Sequence, residues 1–226
     1  MKRLLVIIAL FCLTGSISLG QNTNANLLFN AGFEEVDSAQ KPLGWMPEYW
    51  LEGSEYQVTT EKTYSGKYAL VIKSNEENDF RLVQTVKVKP NTYYKLSGWI
   101  STENVMADKI GANICVVDDG FHHTYSINGT SSWLPVNLNF LTDKNQTEVK
   151  IGVRLGMWGN TVTGAAYFDE LSLVELNHRP DTYETLKSRE SSGDAGPQTG
   201  GSWLWLLPIV AVVLVGVIIY DFKRKK

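Results

Sequence analysis

The chain is 226 residues long, with a formal net charge of −3 and two cysteines, Cys12 and Cys115. Setting aside Lys2 and Arg3 at one end and Asp221, Lys223, Arg224, Lys225 and Lys226 at the other leaves 15 basic and 23 acidic residues, a net of −8. That balance excludes bulk electrostatic attraction to nucleic acid or another polyanion. Cys12 falls in a leader segment, so Cys115 stands alone and a disulfide-stapled mini-domain is excluded as well.

Residues 1–20 read as a secretory signal. Lys2 and Arg3 precede the apolar run Leu4 to Leu13, and Ser18 and Gly20 supply small residues at the cleavage site. Residues 26–176 then form one domain's length of strand-like sequence. In WLPVNLNFLT, Leu134, Val136, Leu138 and Phe140 alternate with Pro135, Asn137, Asn139 and Leu141. In EVKIGVRLG, Val149, Ile151, Val153 and Leu155 alternate with Lys150, Gly152, Arg154 and Gly156. A period of two marks half-buried strands. Similar runs stand at YQVTT, YALVIKS, FRLVQTVKVK, YYKLSGWIST, IGANICVVDD and AAYFDELSLVEL, separated by SG, KPNT, DDG, NGTSS and DKNQ. No long amphipathic helical pattern competes, so the fold class is all-β, a β-sandwich. Cys115, in the apolar run ICVV, reads as a small buried residue.

Residues 177–202 change in texture to a polar, aliphatic-poor stretch that reads as a flexible linker. Residues 203–220 (WLWLLPIVAVVLVGVIIY) are an apolar run long enough to span a bilayer, and residues 221–226 are a basic tail for the cytoplasmic side. The expected product is a single-pass membrane protein at the cell surface with its amino terminus outside. The stretch GPQTG before the span reads first as a flexible, glycine-rich spacer; it also resembles a cell-wall sorting signal in Pro197, Thr199 and Gly200, with Gly196 in place of the usual leucine, and sortase processing at Thr199 is the alternative reading.

Taking the aliphatic side of each strand as the core turns Lys95, Trp99, Asn113, Asn137, Asn139, Lys150 and Arg154 the other way. Amides and a guanidinium can hydrogen-bond vicinal hydroxyls, and an indole can lie on a pyranose ring, so a single face of this composition suits neutral sugars. An ordinary solvated sheet face with Trp99 turned inward is the alternative.

The series NLLFNAGFEE, KPLGW, YSGKYALVIKS, LVQTVKVKPNTYYKLSGWIST, SSWLPVNLNF and AAYFDELSL resembles, in order and spacing, the galactose-binding-domain-like jelly rolls of carbohydrate-binding modules attached to xylanases and cellulases. The resemblance implies a jelly roll with NLLFN as its first strand. It implies a structural calcium (Ca2+) held by the carboxylates of Glu34 and Asp169 and the carbonyl of Gly32, with Glu61 a further candidate; turn-amide acceptance by Glu34 and Asp169 is the alternative. It implies core packing for Trp45 and Trp133. It also implies ligand contacts in the loops and strand ends carrying Trp50, Phe121, Tyr125 and Trp158, where Trp158, flanked by glycines in GMWGN, is the expected stacking platform.

Catalytic patterns are lacking. His122 and His123 are adjacent on a strand and so point to opposite faces, which is poor chelating geometry. No nucleophile elbow, phosphate loop or cysteine cluster is present. A hydrolase built on Asp118, Asp119 and His122 or His123 is the weakest reading. The leading expectation is a surface-anchored, non-catalytic protein that binds a polysaccharide or other glycan; an adhesin or assembly protein that binds a protein partner is the alternative. Asn128 and Asn145 begin glycosylation sequons.

Overall fold

Alternating apolar residues place one side chain in two against a common core, and two such sheets bury their apolar sides against each other. The computed structural model describes residues 25–49, 51–117 and 122–187. The leader, the apolar span, the basic tail, Thr199, Trp50, Asp118, Asp119 and Phe121 lie outside the described residues. The chain divides into two units, Met1–Ser188 and Arg189–Lys226, and every described residue belongs to the first.

Eleven strands are described: β1 (Met46–Tyr49), β2 (Ser54–Thr59), β3 (Ala69–Asn78), β4 (Phe80–Lys87), β5 (Tyr93–Val105), β6 (Ala112–Val116), β7 (His122–His123), β8 (Gly129–Leu141), β9 (Glu148–Leu155), β10 (Val162–Glu175) and β11 (Glu184–Thr185). They form a five-stranded sheet, β1-β4-β9-β6-β7, and a six-stranded sheet, β11-β8-β5-β10-β3-β2. The fold is therefore the expected all-β sandwich. Its core takes Leu82, Ile114, Ile151 and Val153 from the first sheet and Ile72, Leu96, Ile100, Phe140 and Phe168 from the second, all fully buried. Burying each such side chain contributes about 1.5–3 kcal/mol. Gly98 of β5 faces inward, where a Cβ would overlap Leu171 and lie 2.7 Å from Ile114, so the sheets approach through the missing side chain.

Three expectations change. NLLFN is not a strand: Leu27 N donates to Leu173 O at 2.9 Å, and the Asn26 side chain donates to Leu171 O and accepts from Leu173 N, both at 2.9 Å. A side-chain amide thus replaces one backbone unit along the edge of β10, and the chain turns at once into residues 28–33.

The boundary at 176 falls too early. Residues 184–185 pair in parallel with Phe140 and Leu141, Leu186 is fully buried, and the Tyr183 ring meets Tyr93 edge-on at 5.0 Å. Two apolar anchors in a polar stretch suffice to dock it, although the composition reads as linker.

Trp133 is the third. It packs outside the core, with Val71, Ala165 and Tyr167 on the outer side of the six-stranded sheet, whereas Trp45 is buried as expected and lies 5.4 Å from Phe33.

Candidate functional site

The two-sheet topology splits the polar face read from the sequence. Lys95, Trp99, Asn137 and Asn139 lie on β5 and β8, in the six-stranded sheet; Asn113, Lys150 and Arg154 lie on β6 and β9, in the five-stranded sheet. Outward positions of two packed sheets point in opposite directions, so these residues cannot form one surface. Periodicity shows inside from outside but not which sheet a strand joins.

On the five-stranded sheet the register aligns Glu48, Arg81, Arg154 and Asn113 across four neighbouring strands. Arg154 is 4 % exposed and Asp79 6 %, and they form a two-point ion pair: Nε donates to Oδ1 at 2.6 Å and the second guanidinium nitrogen donates to Oδ2. Asn113 is equally buried; its amide nitrogen donates to Gly111 O at 3.1 Å, and among the described residues its Oδ1 has no hydrogen-bond partner. Arg154 and Asn113 are therefore shielded from solvent, a correction to their expected role as ligand contacts.

Glu48 joins this row by accepting from Arg81 at 2.8 Å and from Lys150 at 2.8 Å. Burial works to raise the Glu48 carboxyl, but the hydrogen bonds and charges of Lys150 and Arg81 outweigh it and hold the group below the ordinary carboxylate range. Cys115 is buried as expected, though beside Gly152 on the outer row rather than in the main core. Burial, only partly opposed by the charges of Arg154 and Arg81, pushes its thiol up to about 11, so it stays protonated and unreactive at neutral pH.

The open part of this region is at the rim. Trp158, 63 % exposed, borders a cavity of about 190 Å3 lined also by Leu51, Asn78, Asp79, Gly159 and Thr161. Gly159 lies in the left-handed region at φ 72°, which lets the turn double back so that Met157 and Asn160 pair across it. Asn78 fixes the opposite wall by donating to Leu51 O and Glu52 O, both at 3.2 Å. Leu51 also borders a second cavity, of about 280 Å3, in which Tyr49 and Tyr56 stack on Phe80 at 5.9 and 5.5 Å. Asp79, Leu51 and Tyr49 escape a sequence reading because a lone carboxylate between two strands and isolated apolar surface residues are ordinary.

On the other sheet, Trp99 is half-buried and stacks on Tyr64, with centroids 4.0 Å apart and planes 16° from parallel. Tyr125 is 56 % exposed, and its hydroxyl donates to the carbonyl of Pro135, the cross-strand partner of Trp99, at 2.6 Å. Trp99, Tyr125 and Asn137 thus belong together, apart from Trp158.

The predicted metal positions are neighbours. A Cβ on Gly32 would lie 3.7 Å from Glu170 Oε1 and 3.9 Å from both Asp169 Oδ1 and Glu34 Cγ. A bulge in β10 turns Phe168 and Leu171 both into the core and leaves Asp169 and Glu170 between them, Glu170 at φ 48°. Asp169 Oδ2 accepts from the amides of Tyr64 at 2.8 Å and Ser65 at 3.1 Å, and Oδ1 from Glu170 at 2.8 Å. Glu34 Oε1 accepts from Lys67 at 2.9 Å and Tyr68 at 3.0 Å.

Turn-amide acceptance is therefore what these carboxylates do as placed. The nearby side-chain donors are all oxygens, as calcium takes. Even so, among the described residues no three His, Cys, Asp or Glu side chains are positioned to hold one metal ion. Glu61 is exposed and takes no part.

The histidines are turned to other work. His122 Nδ1 pairs with Glu184, and His123 Nδ1 lies 2.6 Å from Thr124 O. Of the two sequon asparagines, Asn128 is committed through its amide nitrogen to Met106 O and, at 2.8 Å, to Lys109 O, whereas Asn145 is exposed on the Asp143–Gln146 turn.

No family model matches the chain. A segment is 28 % identical over 167 residues to the tRNA(Glu)-specific nuclease WapA of Bacillus subtilis subsp. natto, covering 67 % of this chain and 7 % of that protein. The chain thus spans a small fraction of the relative it matches. Among solved structures, a cyclase from Fischerella sp. TAU aligns over 70 % of this chain and 100 % of its own at a TM-score of 0.51 and 17 % identity. The enzymatically active domain of tailspike protein 4 from bacteriophage CBA120 aligns over 67 % of this chain and 21 % of its own at 0.50 and 11 %. Carbohydrate-binding modules of families 4, 16, 22 and 61 are matched at TM-scores of 0.44 to 0.47. What this chain shares with the cyclase and the tailspike domain is the fold.

Proposed function

We propose that the domain is a non-catalytic, surface-tethered glycan-binding module, and that Trp158 and the cavity beside it hold one unit of a polysaccharide chain. The observation that carries this is the Trp158 indole, 63 % exposed at the edge of a cavity whose walls are both apolar and hydrogen-bonding. At about 190 Å3 the cavity is smaller than the roughly 300–1,000 Å3 pockets that enclose drug-sized ligands. It therefore suits one ring of a longer chain that continues outside. An aromatic face offers a sugar's C–H side dispersion without demanding charge; Thr161 Oγ1, which donates to Glu77, and Asn78 Oδ1, which accepts from the Asp79 amide, keep a lone pair each for a sugar hydroxyl. The six sequence motifs of the carbohydrate-binding jelly rolls support the same reading. The secretory leader and apolar span add that the domain is displayed outside the cell; protease added to intact cells should then remove it.

The test is a binding screen of the purified full chain against neutral and acidic polysaccharides. Trp158→Ala should weaken binding at least tenfold and move the melting temperature by less than about 3 °C, since an exposed side chain contributes little to folding. A well-folded chain that binds no glycan in the screen sinks the proposal and leaves a protein partner as the better reading.

We further propose a calcium ion at the turn of Gly32, Glu34 and Asp169, supported by the proximity of these positions and their all-oxygen chemistry. The ion would draw its other ligands from backbone carbonyls. Chelation should then lower the melting temperature by several degrees, and added calcium should restore it. Identical melting curves with chelator and with millimolar calcium would leave the carboxylates as turn caps alone.

A further inference from the structure

We infer that the outer face of the six-stranded sheet is a second carbohydrate-contact site, with the Tyr64 ring as its platform; this rests on the glycan-binding reading above. Tyr64 is 41 % exposed and stacks on Trp99 at 4.0 Å, so it covers one face of the indole and becomes the outermost ring. Trp133 meets it edge-on at 6.0 Å. Beside Trp133, the buried Tyr167 ring lies under Lys62, whose Nζ is 4.5 Å from its centroid. Lys62 also donates to Glu103 at 3.0 Å, and the Tyr167 hydroxyl donates to the same carboxylate at 3.0 Å.

A surface tyrosine in a turn ordinarily loses rotamer freedom when it binds, an entropic cost set against its affinity. Here the turn is fixed in advance. Amides on both sides of Gly66 are held, Tyr64 and Ser65 by Asp169 and Lys67 and Tyr68 by Glu34. Gly66 itself, at φ 61°, has no room for a Cβ because Glu34 occupies the space. An ordinary solvated sheet face has no need of a ring held this way.

The occupant is a sugar rather than a protein because of charge and area. Lys62 and Glu103 neutralise each other within the patch, so it presents hydrogen-bonding groups without net charge. The four rings are each no more than 41 % exposed, which at 150–250 Å2 per aromatic side chain leaves under about 400 Å2. A stable protein interface takes about 800 Å2 from each partner. This patch and the Trp158 cavity belong to different sheets, so one domain would hold two glycan chains and crosslink them.

Titration calorimetry of the full chain with cellohexaose and xylohexaose, paired with Tyr64→Ala, Tyr64→Phe, Trp158→Ala and the double alanine variant, tests this. The expected result is two molecules of one hexaose bound per chain, falling to one in either single alanine variant and to none in the double, with Tyr64→Phe binding two. One molecule bound by the native chain and none by Trp158→Ala, with Tyr64→Ala unchanged, overturns the second site and leaves the first standing. Loss of all binding in Tyr64→Ala together with retention in Trp158→Ala supports Tyr64 and removes Trp158. No hexaose bound by any form, with a polysaccharide of the screen still bound by the native chain and by Tyr64→Ala but not by Trp158→Ala, overturns the second site alone; no binding of hexaose or polysaccharide by any form overturns both. Tyr64→Phe binding like Tyr64→Ala overturns the platform, since the ring is what the two differ in.

Discussion

Arg154→Met should cost about 3–5 kcal/mol of folding stability, because it leaves the Asp79 carboxylate buried and without its cation. Asp79 is 6 % exposed and takes both of its strong hydrogen bonds from Arg154, while Asn78 beside it is engaged with the 51–52 loop. In a domain of this size each kcal/mol moves the melting temperature by about 2–4 °C, so a fall of roughly 10 °C is expected. Replacing both partners, with Arg154→Met and Asp79→Leu together, should recover most of the loss, since two apolar groups have no desolvation cost to offset. Urea denaturation of the two single variants and the double measures this. A single-variant loss below about 1 kcal/mol would show that the pair is solvated in solution. Asp79 also lines the Trp158 cavity, so the double variant should regain stability without regaining glycan binding. That separation is a readout of the site which stability alone does not supply.

Asp169→Ala should be comparably damaging. The carboxylate is fully buried and accepts from three backbone amides, those of Tyr64, Ser65 and Glu170. A fully buried amide left without an acceptor costs about 1–3 kcal/mol; these three are only part-buried, so relaxation of the turn toward water would return part of it. A net loss of roughly 3–5 kcal/mol is expected, with the Tyr64 ring released from Trp99 and a changed tryptophan emission as the local signature. Burial raises the Asp169 carboxyl above its usual range, the three amide bonds oppose the rise, and the charge of Glu170 adds to it. Because the folded value is raised, the stability from this group is complete below the unfolded pKa of about 3.9 and is lost as pH rises through the folded value. The wild type should show that declining slope, and Asp169→Asn should lack it. A bound calcium would reverse the sign by favouring the charged form. Denaturation across this pH range with chelator and with calcium therefore reports whether an ion is present.

The long strands, most of their inward residues and the sandwich class follow from the sequence alone, because a period of two is a local property of the chain: Ile151 and Val153 declare themselves in EVKIGVRLG without reference to any partner, whereas NLLFN resembles a strand and is none, and the short β1 and β11 carry too few residues to show a period. The carboxylates at Glu34 and Asp169 were likewise legible as a pair through the resemblance, though whether they hold amides or an ion was not. Sheet membership was decided only by tertiary structure. Asn113 and Arg154 alternate outward just as Trp99 and Asn137 do, yet strand order puts the two pairs on different sheets, and register buries the first pair under an ion pair that no local pattern announces. Tyr64 sits in a bend and Asp79 is the one residue between β3 and β4, positions where local composition carries no periodic signal. They gain their roles from residues 35 and 75 positions away, Trp99 and Arg154, brought next to them by pairing across the sheets. Local periodicity is encoded residue by residue, whereas a contact between distant residues depends on the whole topology, and that is why the fold could be read from the chain and the composition of its surfaces could not.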